Sequence, residues 1–244
     1  MTPLKIFIGY DQRESISFHT LAHSILSKTT VPVSITPIKR SALTAIHSRP
    51  SDPKQSNEFS FTRFLVPYLC KYEGWALFMD CDMLCRVNIK ELFDLADESK
   101  AVQVVKHEYV PKDEFKYLGA KQYAYPKKNW SSLILFNNHA CRALTPEYVN
   151  TAQGFELHQF KWLGDDSRIG GLPKEWNHLV GEYPENPNAK IVHWTIGGPY
   201  FYEYARAEYA EEYRMAVDRA MHCEQRYGYY KPSIPAPTVE PSER

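Results

Sequence analysis

The stretch Ala76-Leu77-Phe78-Met79-Asp80-Cys81-Asp82 constrains this chain more than any other. Its apolar first half reads as a strand buried on both faces. Asp80 and Asp82 then fall where that strand leaves the core. Residues at i and i+2 of an extended segment point to the same side. The two carboxylates therefore repel each other unless water, protons or a cation screens them. A hard divalent cation that also takes phosphate oxygens is the natural partner, because carboxylate and water ligands suit magnesium and manganese. Alone, a D-x-D pattern equally describes a solvated acidic turn, so the rest of the chain has to decide.

The surrounding pattern alternates. Leu4 to Gly9 reads as a first strand closed by Gly9-Tyr10-Asp11, and Phe18, Leu21, Ala22 and Ile25 mark one face of a following helix. Val33 to Ile38 is a second strand, and Ser41 to Asn57 reads as a loop that orders on binding. Phe61, Phe64, Leu65, Tyr68, Leu69 and Tyr72 trace a helical face, with Ser60 as N-cap and Pro67 as a kink. After the aspartates come a short helix over Ile89 to Leu95, strands over Ala101 to Val105 and Ser132 to Phe136, and a helix from Pro146 through Ala152. Lys190 to Trp194 is a late strand, and Glu203 to Glu224 a long tyrosine-rich helix. Strands alternating with helices predict an α/β fold with a mostly parallel sheet. Ligands of such sheets sit at the carboxyl ends of strands, where Tyr10, Asp11, Asp80 and Asp82 all fall. Residues 1–230 read as a single domain, and 231–244 as a proline-rich disordered tail.

Composition narrows the function classes. Lys+Arg and Asp+Glu each number 29 in 244 residues, so no global field recruits nucleic acid. No apolar run approaches the roughly 18 residues of a membrane span, and the N-terminus offers no signal-peptide core. The cysteines Cys70, Cys81, Cys85, Cys141 and Cys223 form no C-x-x-C pair, which fits reduced thiols in a cytoplasmic protein, free or at the inner face of a membrane. His19 and His23 lie at i and i+4, but without the glutamate of H-E-x-x-H they read as structural. No P-loop or serine-hydrolase elbow occurs.

The order of motifs is informative beyond each motif. Ile8-Gly9-Tyr10-Asp11 ends a strand; Phe61-Thr62-Arg63-Phe64-Leu65-Val66-Pro67 lies on a helix; Asp80-Cys81-Asp82 follows a buried strand; Ile191-Val192-His193 precedes glycines. Together they resemble the GT-A glycosyltransferases of family 8, the group containing glycogenin and bacterial galactosyl- and glucosyltransferases, over roughly Leu4 to Tyr200. The resemblance implies a Rossmann-like GT-A fold, a mostly parallel mixed sheet flanked by helices. It also implies a metal-dependent transferase that moves a sugar from a nucleoside diphosphate donor, a UDP-sugar, to an acceptor hydroxyl with retention. Its metal, Mn2+ or Mg2+, would be held by Asp80, Asp82 and His193. Asp80 would also reach the donor, together with Gly9, Tyr10, Asp11 and Arg63. Asp165 or Asp166, in Gly164-Asp165-Asp166, would face the sugar and acceptor as the catalytic acids. Leu172-Pro173-Lys174-Glu175-Trp176-Asn177 matches a further family stretch.

Two departures stand out. Asn129-Trp130-Ser131-Ser132 replaces the family's glycine-containing turn with serines, which alters the donor-sugar pocket. The family's late lysine, a diphosphate contact, is missing from His193-Trp194-Thr195-Ile196-Gly197-Gly198-Pro199-Tyr200. Backbone N–H groups of Gly197 and Gly198 are the expected substitute. These departures keep two rivals open. One is a non-catalytic nucleotide-sugar or glycan-binding protein of the same fold. The other is a sugar-1-phosphate nucleotidylyltransferase, which should carry a glycine-rich basic loop where this chain has Gly9-Tyr10-Asp11-Gln12-Arg13-Glu14. The acceptor stays open among glycan, lipid and protein.

Overall fold

The computed structural model describes residues 2–50, 55, 57–108, 110, 111, 115, 119 and 124–222. In chain order its strands and α-helices are β1 (Leu4–Tyr10), α1 (Ser15–Leu26), β2 (Val33–Lys39), α2 (Val66–Leu69), β3 (Trp75–Met79), β4 (Met83–Cys85), α3 (Lys90–Phe93) and β5 (Val102–Val105). They continue with β6 (Leu133–Asn137), α4 (Pro146–Thr151), α5 (Gly154–His158), β7 (Ile169–Leu172), β8 (His178–Leu179), β9 (Ile191–His193) and α6 (Ala210–Met221). The proline-rich tail and Cys223 lie outside the described residues, as do 51–54 and 56 of the expected Ser41–Asn57 loop.

Six strands form the main sheet in the order β2-β1-β3-β6-β5-β7. β1 pairs in parallel with β2 and β3, and β5 in parallel with β7, while β6 runs antiparallel to both neighbours. The sheet is therefore mixed and mostly parallel, as the alternating sequence predicts. Every residue of β5 and β6 is buried, as is β3 after Trp75. That burial on both faces explains why Leu77-Phe78-Met79 and Leu133-Ile134-Leu135-Phe136 are unbroken apolar runs rather than alternating ones. Leu21 and Ile25 of α1 are fully buried in the same core.

The reversed strand matters for the site. Met79 pairs with Leu133, so the start of β6 sits beside the end of β3. The Asp80 N–H donates to the Ser132 carbonyl at 2.8 Å. A second sheet, β4-β9-β8, grows from the same corner: Met83 pairs with His193, and the Trp194 N–H donates to the Asp82 carbonyl at 3.0 Å. The 191–193 strand thus lies directly against the residues that follow β3.

Local structure departs from the sequence expectation in three places. The helix expected over Phe61 to Tyr72 is a 3-10 turn, Thr62–Leu65, leading into the short α2. Pro67 does not kink it; proline sits in the first turn, where its missing N–H has no partner to lose. Ser60 does not cap it: the N-cap position falls on Phe61, and the Ser60 hydroxyl turns back to Asn57, 3.1 Å from its carbonyl. The long helix expected from Glu203 begins only at Ala210. Tyr209 adopts a left-handed φ of 60°, and its hydroxyl bonds Asn186, which fixes the chain before the helix can start. The short strands β4, β7 and β8 carry no readable period. In β7 a Cβ on Gly170 would come within 2.7 Å of the Gln103 side chain, so packing selects glycine there.

Candidate metal centre

Asp80 and Asp82 leave β3 on the same side, and the antiparallel β4–β9 pair delivers His193 opposite them. One ligand atom from each of Asp80, Asp82 and His193 lies within 4.8 Å of the others. His193 is 2% exposed and Asp80 8%, so the triad sits at the wall of the core. His193 Nε2 lies 3.3 Å from Asp82 Oδ1. The convergence expected of residues so far apart in the chain is the arrangement observed. Two carboxylates and an imidazole form a donor set that manganese and magnesium accept, and the buried crowding of two negative charges calls for a cation, so the residues fit such an ion.

Arg63 completes the corner. Its guanidinium lies 2.7 Å from Asp80 Oδ1, with side chains only 5% and 11% exposed. It also donates to the Ser131 carbonyl at 2.8 Å and the Phe59 carbonyl at 3.3 Å, and rests over the Phe78 ring at 4.9 Å. The 3-10 turn before α2 therefore places this arginine, and the Phe59 and Phe78 rings hold its plane. The apolar neighbours of Arg63 in sequence demand such an anionic partner.

Gly9, Tyr10 and Asp11 lie at the carboxyl end of β1, adjacent to β3. Tyr10 is half-buried, with the Phe18 ring edge-on at 5.5 Å. Asp11 is completely buried, and its carboxylate accepts from Arg13 N at 2.9 Å, Nε at 3.0 Å and Nη2 at 2.6 Å, and from Glu58 N at 3.2 Å. Burial pushes its acidity down, but the Arg13 and Glu58 contacts outweigh it and hold the carboxyl below the usual range. With those lone pairs committed, Asp11 organises the β1 turn and its Arg13. Gly9 makes room for a ring: a Cβ there would come within 2.4 Å of Phe59.

Gly197 and Gly198 follow the triad's histidine in a tightly packed turn. The Gly197 N–H donates to the Trp194 carbonyl at 3.1 Å, so it is not available to a phosphate. A Cβ on Gly197 would come within 2.3 Å of the Tyr204 ring, and one on Gly198 within 2.2 Å of Tyr200. Packing alone thus explains both glycines. Tyr200 in turn donates to buried Glu14 at 2.5 Å. Burial first, then the carboxylates Asp82 and Glu14, push its phenol well above the usual value, so it stays protonated beside the triad.

Asp165 and Asp166 are not brought to the triad. They precede β7, whose start pairs with Val102 at the beginning of β5; β5 and β3 both run antiparallel to β6, and so run the same way. The pair thus sits at the amino end of an edge strand, whereas Asp80 follows the carboxyl end of a central one. Asp165 accepts from Ser167 N at 2.8 Å, and Asp166 from Lys127 Nζ at 2.6 Å.

Sequence reasoning did not single out His107 or His158. His107 is buried, its Nδ1 3.0 Å from the Tyr183 hydroxyl, and burial, then His193, Lys174 and His178, push it down to about 3. His158 Nδ1 lies 2.7 Å from Ser131 Oγ, and burial, then Arg63 and Arg49, likewise push it down to about 3. Both rings are neutral at pH 7 and serve as hydrogen-bonding walls. A separate cleft of about 510 Å3, lined by Lys28, Cys85, Arg86, Glu212 and Arg219, opens between α1, α6 and the far end of β4 and includes none of the triad.

Protein CDI of Arabidopsis thaliana is 44% identical to this chain over 218 residues, covering 86% of this chain and 84% of that protein. This chain belongs to the Protein CDI family. No protein-family model matches it. Among solved structures, the bifunctional glycosyltransferase WbbM matches over 88% of this chain with a TM-score of 0.62 at 15% identity. The galactosyltransferase LgtC, solved with donor and acceptor sugar analogs, matches over 91% with a TM-score of 0.59 at 10% identity. The chain spans 98% of LgtC but only 50% of WbbM. This chain therefore has the GT-A glycosyltransferase fold, as the family 8 resemblance implies. Among the described residues no helix is long and apolar enough to cross a membrane.

Proposed function

We propose that this chain is a metal-dependent glycosyltransferase that moves a sugar from a UDP-sugar to an acceptor hydroxyl, with retention of anomeric configuration. The convergence of Asp80, Asp82 and His193 on one point, at the carboxyl end of a central strand in a GT-A fold, carries this reading. Asp80, Asp82 and His193 would hold Mn2+ or Mg2+, and the ion would neutralise charge on the departing diphosphate. Arg63 anchors Asp80 and brings a second positive charge to the same corner. Tyr10 supplies a face for the base, and Asp11 supports it by fixing Arg13 and the β1 turn. Of the two glycines, only the Gly198 amide is left for a phosphate oxygen. Asp165 and Asp166 sit at the amino end of an edge strand, away from the triad. A front-face course, in which a diphosphate oxygen helps deprotonate the acceptor, therefore fits better than a covalent one through Asp165 or Asp166. The four buried free thiols, Cys70, Cys81, Cys85 and Cys141, suit a reducing compartment such as the cytoplasm.

The test is incubation with UDP-glucose or UDP-galactose and Mn2+, following UDP release with and without EDTA. Metal-dependent release of UDP is expected. Tight UDP–Mn2+ binding with no turnover on any UDP-hexose would replace the enzyme by a binding protein. Formation of UDP-sugar and pyrophosphate from UTP and a sugar 1-phosphate would favour the nucleotidylyltransferase; Arg13, the one basic residue of the β1 turn, is already bound to Asp11.

A further inference from the structure

The serines that replace the family's glycine turn lead directly to the histidine of the triad. Asn129 has a left-handed φ of 61°, a conformation asparagine tolerates, and this turns its carbonyl toward Ser132. The single hydroxyl proton of Ser132 is donated to that carbonyl at 2.7 Å. Ser132 Oγ can then only accept from Asn177, whose Nδ2 lies 2.9 Å away. With its nitrogen committed to Ser132, the Asn177 amide presents its oxygen to His193 Nδ1 at 2.9 Å. An amide oxygen cannot donate, so the ring proton must sit on Nδ1. A ring with that single proton has its lone pair on Nε2, the atom that faces Asp82 at 3.3 Å. Ser132, Asn177 and His193 are at most 3% exposed, so water does not compete for these bonds.

We propose that Ser132 and Asn177 are positioning residues, a relay that fixes the Nδ1–H tautomer of His193 and aims its Nε2 lone pair into the Asp80–Asp82 corner. The consequence for metal affinity rests on the reading under Proposed function; the tautomer does not. The relay ties together two segments far apart in sequence. Ser132 also holds Asp80 through its carbonyl, so the same residue sets one carboxylate and, at one remove, the imidazole. Outer partners of this kind commonly contribute about 10–100-fold to metal affinity.

The experiment uses the full chain, metal-free at pH 8, with long-range 1H–15N correlation spectra of the histidine rings. His193→Gln identifies the His193 signals. Wild type should show the Nδ1–H form. Asn177→Asp keeps an acceptor at Nδ1 and should keep that form. Asn177→Leu removes it and should shift the ring toward Nε2–H. Ser132→Ala frees the amide to turn over and should give a mixture. Mn2+ titrations should show affinity falling about 10–100-fold in Asn177→Leu, less in Ser132→Ala, and least in Asn177→Asp. If Asn177→Leu does not fold, the contrast between Ser132→Ala and Asn177→Asp decides the matter. An Nε2–H ring in wild type would overturn the relay. So would variants that lose thermal stability together while the tautomer stays fixed. A relay-dependent tautomer in a protein that binds no Mn2+ would leave the relay standing and overturn the metal reading instead.

Discussion

Two ion pairs in this molecule have almost the same length and opposite meanings. Arg63 and Asp80 approach to 2.7 Å with side chains 5% and 11% exposed, while Lys127 and Asp166 approach to 2.6 Å with side chains 16% and 73% exposed. The first pair is enclosed by Phe59, Phe78 and the Ser131 carbonyl at the carboxyl end of a central strand. The second lies in water at the amino end of an edge strand. Coulomb attraction at one distance depends strongly on the surrounding dielectric, so length alone does not rank them. Burial makes the first pair a place where losing a partner is costly, and where an added cation has a task.

The largest effect should come from breaking the buried pair on one side only. Arg63→Met leaves Asp80 in the core beside Asp82 without its guanidinium. The expected loss is about 3–5 kcal/mol of unfolding free energy by denaturant titration. Mn2+ should restore part of it, because the ion supplies the missing counter-charge. A variant as stable as the parent would mean that the fold does not depend on the pair.

Next in size is the loss of a carboxylate from the triad. Asp82→Asn should lower the rate of UDP release by about 10²–10³, by analogy with loss of one transition-state donor. Little stability should go with it, since Asp82 follows the apolar run of β3 rather than forming part of it. Relief of its repulsion with Asp80 should even raise the metal-free melting temperature slightly. Parental turnover in Asp82→Asn with metal present would remove Asp82 from the proposed role.

The same contrast explains what the sequence discloses. Asp80 and Asp82 were legible because an apolar run long enough to be a doubly buried strand ends on them, and i, i+2 spacing fixes their common side. Asp165 and Asp166 are harder to place, because adjacent acids carry no record of which end of a strand they occupy. β7, with Gly170-Gly171 in its middle, has no period from which the strand could be placed. Gly197-Gly198 suggested a phosphate cradle, yet rings brought in by Tyr200 and Tyr204 account for both. His193 was recognisable only through its resemblance. The Ser132–Asn177 relay that orients it was not, since each partner depends on tertiary pairing between segments that share no local pattern.

A smaller, pH-dependent effect distinguishes the wall of the metal corner. His158 stands near 6.5 when unfolded and is pushed down to about 3 in the folded chain, by burial and then Arg63 and Arg49. Above pH 6.5 both states are neutral and nothing is lost. Between about pH 6.5 and 3 the unfolded chain binds the extra proton, so stability falls as the pH falls. The ceiling is about 1.4 kcal/mol per pH unit for one such group. His158→Gln should flatten the dependence between pH 6.5 and 5 by part of that slope. An unchanged slope in chemical denaturation at stepped pH would assign the acid sensitivity to other groups.

The smallest effect is expected at the exposed pair, and it is the sharpest check on the comparison. Asp166→Asn removes one carboxylate from a lysine that also donates to the Gln159 carbonyl at 2.9 Å, so Lys127 keeps a partner. Exposed pairs of this kind contribute about 0–1 kcal/mol, weakened further by salt. The change in melting temperature should therefore be slight, and slighter still at high ionic strength. UDP release should continue at close to the parental rate, because Asp166 approaches the metal corner through none of its contacts. A loss as deep as that of Asp82→Asn, in a protein that remains folded, would mean that the 164–168 turn reaches the donor during turnover. That result would restore the catalytic role which its position before β7 argues against.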